Sequence, residues 1–254
     1  MIVCKSPAEL EKMRAANQLV ARILEELAAM VAPGVTTAEL DAAAESRVRA
    51  ACAEPAFKGY RGYPATLCAS VNEQVVHGIP SATPLLAGDI VSLDMGVKLD
   101  GYYGDSAVTV PVGAVGDEVK ALLRVTQEAL EKGIAAVKIG GRISDIGHAI
   151  QAHVEAHGFS VVREFVGHGI GASLHEEPQI ANYGEPGRGP RLAEGMTLAI
   201  EPMVNMGKPA VKVLSDGWTA VTKDGSLSAH FEHTVAVTKS GPLVLTMRPV
   251  VVSP

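Results

Sequence analysis

Five residues could do chemistry together: Asp94, Asp105, His168, Glu201 and Glu232, four acids and one imidazole, each beside a β-like run. Buried carboxylates without partners are prohibitively costly, so such a set calls for cations. Oxygen-rich ligation with a single His suits divalent Co, Mn or Fe better than a closed, thiolate-rich zinc site. If the five converge, they form a two-metal hydrolytic centre.

Asp94 and Asp105 are separated by Gly96, Gly101 and Gly104, which fits a hairpin that brings both acids close. Either acid alone reads better as a strand terminator or turn cap beside glycine. Gly167-His168-Gly169-Ile170-Gly171 surrounds one imidazole with three glycines, from which we expect positive φ and close approach of the backbone to a ligand. His175 follows closely enough to face the same pocket as His168, one on metal and one on substrate. Glu201 and Glu232 each interrupt an apolar strand, where a charge is costly unless paired. An edge-strand salt bridge is the competing account. His77, at a strand end in Val75-Val76-His77-Gly78, is a further candidate. His148, His153, His157 and His230 read as structural. Cys68 has no feature that activates a thiol and reads as a small hydrophobe in a pocket wall.

The elements that must position these groups follow from periodicity. Ser6-Pro7-Ala8-Glu9 and Thr36-x-x-Glu39 are capping boxes, opening helices that end at Pro33-Gly34 and near residue 53. Strands fit 65–71, 89–95, 98–103 and 105–112. The second half repeats this order, with helices over 117–138 and 144–156, then strands over 161–163, 197–203, 218–223 and 229–238. Gly34-x4-Glu39 matches Gly140-x4-Asp145, and Gly88-x-Ile90-x-x-Leu93-Asp94 matches Gly195-x-Thr197-x-x-Ile200-Glu201. One register relates both matches. The pattern predicts one domain over 1–254, with quasi-equivalent α-α-β halves of about 1–112 and 113–254 and the site between them.

The 254 residues carry a net charge of −6 without a basic run, which excludes a general nucleic-acid binder. With 47% hydrophobic but only 4% aromatic residues, the core must be aliphatic. Cys4, Cys52 and Cys68 lack metal-binding spacing and suggest a reduced compartment. Neither a secretory leader nor an apolar run of about 18 residues is present, so a cytoplasmic location away from membranes is expected. The His-Glu-x-x-His, Gly-x-Ser-x-Gly and P-loop motifs are absent.

Several stretches resemble type I methionine aminopeptidase, in its minimal bacterial form. They are Gly59-Tyr60-Arg61-Gly62-Tyr63-Pro64, Asn72-Glu73-x-Val75-Val76-His77-Gly78-Ile79-Pro80, Asp94 with Asp105, Gly167 to Gly171 continuing to Asn182-Tyr183, Ile200-Glu201-Pro202, and Ser228-Ala229-His230-Phe231-Glu232-His233-Thr234. The resemblance covers about residues 5–247. It implies an α+β "pita-bread" fold, with pseudo-symmetric α-α-β halves around a curved antiparallel sheet. It also implies hydrolytic removal of the initiator Met from nascent chains whose second residue is small. By it, Asp94 chelates one metal, Asp105 and Glu232 bridge two, and His168 and Glu201 hold the other. Glu201 doubles as a proton shuttle, and His77 and His175 contact the substrate. Phe57, Tyr60, Tyr63, Cys68, Leu174 and Trp218 make the methionine pocket. Phe57 and Leu174 depart from the family's common Cys and aromatic residue, which affects pocket size. Asn72 and Ser228 match a monovalent-cation site of some members. The implied partners are nascent polypeptide N-termini beginning with Met; the resemblance is compatible with ribosome association and with a monomer.

Two rivals follow. Prolidases and aminopeptidase P share the fold but generally carry an extra N-terminal domain. Non-catalytic modules of the fold typically lose ligands, and all five are present here.

Overall fold

The computed structural model describes residues 1–247. Helix α1 (Pro7–Met30) starts where Ser6 Oγ accepts from Glu9 N and the Glu9 carboxylate accepts from Ser6 N at 2.7 Å. Its stripe of Met13, Val20, Ile23, Leu24 and Leu27 is buried. Helix α2 (Thr37–Ala50) starts on the Thr36–Glu39 box. Helices α3 (Asp117–Ala135) and α4 (Ile143–Ala156) occupy the corresponding places in the second half.

The helices cover one side of a nine-stranded sheet in which every pairing is antiparallel. Its centre runs Ile90–Leu99, Tyr102–Pro111, Glu232–Thr238, Thr197–Ile200, an order that reads the same from either half. Leu93, Met95 and Val97 meet the α1–α2 layer, while Leu198, Ile200 and Val235 meet the α3–α4 layer.

The repeat register reappears as matched hydrogen bonds. Gly34 N donates to Leu85 O and Gly140 N to Leu192 O; Gly88 N donates to Val112 O and Gly195 N to Val237 O. All four glycines have positive φ, so these turns need glycine. Asp145 accepts from Arg142 N at 2.7 Å, as Glu39 does from Thr36. The acid of the Gly34–Gly140 match is therefore a helix-capping group in both halves.

Three of the expected strands are interrupted. The strand expected over 98–103 spans a hairpin turn instead, because Asp100 and Gly101 adopt φ 49° and 83° and join two ten-residue strands. The run over 197–203 divides at Glu201-Pro202, since proline has no N–H for the ladder. The run over 229–238 divides at Phe231. The detached pieces, Met203–Asn205 and Ser228–His230, join Ser160–Val161 in a separate three-stranded sheet. Both breaks adjoin a candidate acid.

Gly104 shows how tightly α1 lies on the sheet: a Cβ there would meet Asn17 N at 2.7 Å and Ala16 C at 2.8 Å. Gly104→Ala must push the helix backbone away. We expect it to cost about 1–3 kcal/mol, read as a lowered thermal midpoint.

Candidate metal centre

Sheet register puts the five candidate groups on one side. Ala107 pairs with Asp94 on one neighbouring strand and with Glu232 on the other. Directly opposed residues share a face, and so do residues two apart. Asp105 therefore points the same way as Ala107. Ala199 pairs with Thr234 and with His168, which adds the imidazole to that face. Glu201 lies two residues beyond Ala199, where the strand has just ended.

The donor atoms of Asp105, His168 and Glu232 lie within 4.8 Å of one another. His168 Nε2 is 4.0 Å from Asp105 Oδ2 and 3.7 Å from Glu201 Oε1. Its Nδ1 donates to Gly169 O at 2.8 Å, which fixes the tautomer and leaves the Nε2 lone pair free. Asp94 Oδ1, Asp105 Oδ1 and Glu232 Oε1 are withdrawn from water without a hydrogen-bond partner. Burial pushes the Glu201 carboxyl up to about 8. Burial and then the neighbouring acids push Asp94, Asp105 and Glu232 up as well. Burial lowers His168 to about 3, so its imidazole is neutral. Orphaned carboxylate oxygens around a neutral imidazole are a donor set for divalent cations. The residues fit metal.

The glycines around His168 do not have the expected role. None of the three has positive φ. A Cβ at Gly167 would meet Ala199 O at 2.3 Å, and one at Gly169 would meet Glu177 O at 2.2 Å. Close approach to neighbouring main chain is what demands glycine, and it seats His168 between two strands.

Beside the acids is a cavity of about 160 Å³, into which all of Phe57, Tyr60, Tyr63, Cys68, His77, Leu174, His175 and Trp218 also open. Cys68 pairs with Asp94 in the sheet, and burial and the Asp94 charge raise its thiol pKa. It is an unreactive wall. Tyr63 donates to Leu67 O and Gly78 O, and its ring meets Trp218 edge-on. His77 has φ 61°, a strained conformation for a residue with a Cβ, and packs edge-on against Phe165 and Trp218. His175 stacks on Tyr60, with Nδ1 2.9 Å from the phenol oxygen, and its ring centroid is 4.2 Å from that of His168. Burial lowers the pKa values of His77, to about 4, and of His175.

Asn72 and Ser228 are joined by Ser228 N donating to Asn72 O. Their side chains already have partners, Asn72 with Asp89 and Ile90 N, Ser228 with Asn205.

Sequence reasoning missed two residues here. Arg61 lines the cavity and lies over the Tyr60 ring. His230, read as structural, is buried with Nε2 3.5 Å from Glu201 Oε2, and neither ring nitrogen has a hydrogen-bond partner. Its position two residues before Glu232 was the available signal. A larger groove of about 910 Å³ lies between α1 and α3, and none of the orphaned carboxylates opens into it.

Residues 11–239 match the model of metallopeptidase family M24, and the chain belongs to that family. It is 55% identical to methionine aminopeptidase 1 of Bacillus subtilis over 246 residues, 97% of this chain and 99% of the relative. The crystal structure of methionine aminopeptidase from Thermotoga maritima superposes with a TM-score of 0.96 at 50% identity, covering 98% of this chain and all of that one. The prolidase from Pyrococcus furiosus shares the fold at 22% identity and a TM-score of 0.80, and the match covers 66% of its length. Within the family, the full-length likeness is to the methionine aminopeptidases.

Proposed function

We propose that residues 1–254 act as one catalytic unit that hydrolyses the N-terminal methionine from polypeptides whose second residue is small. The observation that carries this reading is the small cavity of aromatic, aliphatic and sulfur walls directly beside the carboxylate face. Its 160 Å³ is well below the roughly 300–1,000 Å³ of clefts for drug-sized ligands. That size suits one side chain. Tyr60, Tyr63 and Trp218 around it favour a thioether, since sulfur–aromatic contact contributes about 0.3–1.5 kcal/mol.

Asp94 would hold one divalent cation, His168 and Glu201 a second, and Asp105 and Glu232 would contribute to both. Bound there, two such cations would supply a water of pKa lowered from about 15.7 towards 7 and a Lewis acid for the scissile carbonyl. Co, Mn and Fe all suit the donor set. Glu201, whose Oε2 lies 3.5 Å from His230 Nε2, is placed to move a proton from water to the leaving amide. His77 and His175, both neutral, donate to the developing oxyanion and the scissile amide. A monovalent cation near Asn72 and Ser228 would draw on main-chain oxygens, because both side chains are engaged.

The substrates are polypeptides beginning with Met, met by a cytoplasmic monomer as they leave the ribosome. No described helix is long and apolar enough to cross a membrane. The test compares Met-Ala-Ser with an X-Pro peptide after metal is stripped and restored. Release of free Met from the first alone is expected; preference for X-Pro would transfer the chain to the prolidase activity. His175→Ala should lower kcat by about 10²–10³-fold, as for loss of one oxyanion donor, with metal content unchanged. Metal loss in that variant would make His175 a ligand instead.

A further inference from the structure

On the helix side of the sheet, outside the pocket described above, α3 and α4 bring Glu128, His153 and His157 together, with one donor atom from each within 4.8 Å of the others. His153 and His157 stand four apart at the end of α4, so both rings leave the same helix face. Their centroids are 4.6 Å apart. Glu128 reaches across from α3, with Oε2 3.0 Å from His153 Nε2. The two helices can approach this closely because Gly133 faces Ile150, whose Cδ1 a Cβ would meet at 2.9 Å.

Two further observations mark the trio as preset for a ligand. His157 Nδ1 lies 2.8 Å from His153 O, and a carbonyl oxygen only accepts. The proton is therefore on Nδ1 and the Nε2 lone pair is free. Orientation of one ring nitrogen by a backbone carbonyl is the usual support of a metal-ligating histidine. Arg124 Nη1 donates to both Glu128 oxygens, at 2.9 Å to Oε1 and 3.1 Å to Oε2, and hydrogen bonds from Arg124 and then His153 keep this carboxyl below its usual pKa. The arginine thus fixes the carboxylate ionised, with Oε2 against the His153 ring.

We propose that Glu128, His153 and His157 form a separate binding site for a borderline divalent cation such as Zn²⁺ or Ni²⁺, which ties α3 to α4. Two imidazoles and one carboxylate supply three ligands, and water completes the shell. His153 enters as neutral imidazole, its single proton moving to Nδ1 so that Nε2 can coordinate. No redox step is involved. Imidazole-rich ligation favours Ni²⁺, Cu²⁺ and Zn²⁺ over Mn²⁺, so this site fills in zinc or nickel and stays largely empty in manganese.

The experiment titrates Zn²⁺ into the full chain carrying Asp94→Ala and Asp105→Ala, which disables the carboxylate face, by calorimetry. One equivalent of zinc is expected to bind. Adding His157→Gln should weaken it by more than about tenfold, the lower end of what loss of mere ligand-orienting groups costs. In parallel, zinc per chain is counted for the otherwise unmodified protein and for His157→Gln alone. The variant should hold one equivalent less, show a smaller zinc-induced rise in thermal midpoint, and release Met at the unmodified rate with Mn²⁺. Equal zinc content and affinity with and without His157 would overturn the site and leave Glu128–His153 an ordinary ion pair. Absence of Met release would count against the peptidase reading only, because the calorimetric result is independent of turnover.

Discussion

Asp105→Ala and Glu232→Ala should each reduce release of Met from Met-Ala-Ser by more than about 10³-fold, because each removes a group assigned to both metals and with it the drop in water pKa from about 15.7 to about 7. Asp105 and Glu232 are buried, and each presents an oxygen with no protein partner. Deleting either should therefore not unfold the chain. Each variant relieves repulsion among the remaining acids, so the metal-free protein should melt at or above the temperature of the unmodified one. Circular dichroism, thermal melts and metal content by mass spectrometry check these points. A variant that retains near-normal turnover with both metals bound would remove that residue from the bridging position. A variant that fails to fold would make the carboxylate structural.

Metal removal should make stability fall steeply with pH in one window. The unfolded carboxylates titrate near 4, whereas in the metal-free fold Glu201 titrates at about 8 and Asp94, Asp105 and Glu232 are also pushed up by burial. Between those values the folded chain binds more protons than the unfolded one, so stability declines as pH rises. Below about 6.5 the buried histidines oppose this slope. His77 and His233 are lowered to about 4, and His168 and His230 to about 3, so there the unfolded chain takes up the extra protons. The uncompensated window is about pH 6.5–8. Calorimetry in chelator should show the midpoint falling across it, and restored divalent metal should flatten the curve. A metal-free midpoint that is level or rises from 6.5 to 8 would show that the acids are not held together by the fold.

Much of this was legible in the chain because it depends on local rules. The capping boxes at Ser6 and Thr36 needed only four residues each. The repeat relating Gly34 to Gly140 and Gly88 to Gly195 could be read because each turn demands positive φ. Asp94 and Glu201 stood out as charges ending apolar runs. What could not be read depends on partners distant in sequence. The close approach of Ala199 O to Gly167 is tertiary, so the glycines were assigned to the wrong cause. The turn at Asp100-Gly101 was hidden because Lys98, Leu99, Tyr102 and Tyr103 together look like one strand. His230 meets Glu201 only because the chain leaves the main sheet at Pro202 and rejoins it after Phe231.

Ala107, set between Asp94 and Glu232, lies on the seam where the two halves of the chain meet. That seam is short: the strand Glu232–Thr238 pairs with Tyr102–Pro111 at just two positions, supplemented by Thr234 donating to Asp105 O across 129 residues of sequence. Neither half owns the whole of the proposed ligand set, since Asp94 and Asp105 come from one and His168, Glu201 and Glu232 from the other. Metal uptake is thus a report on assembly. On the proposed assignment, a newly made chain would complete its metal site only once the strand Glu232–Thr238 has docked.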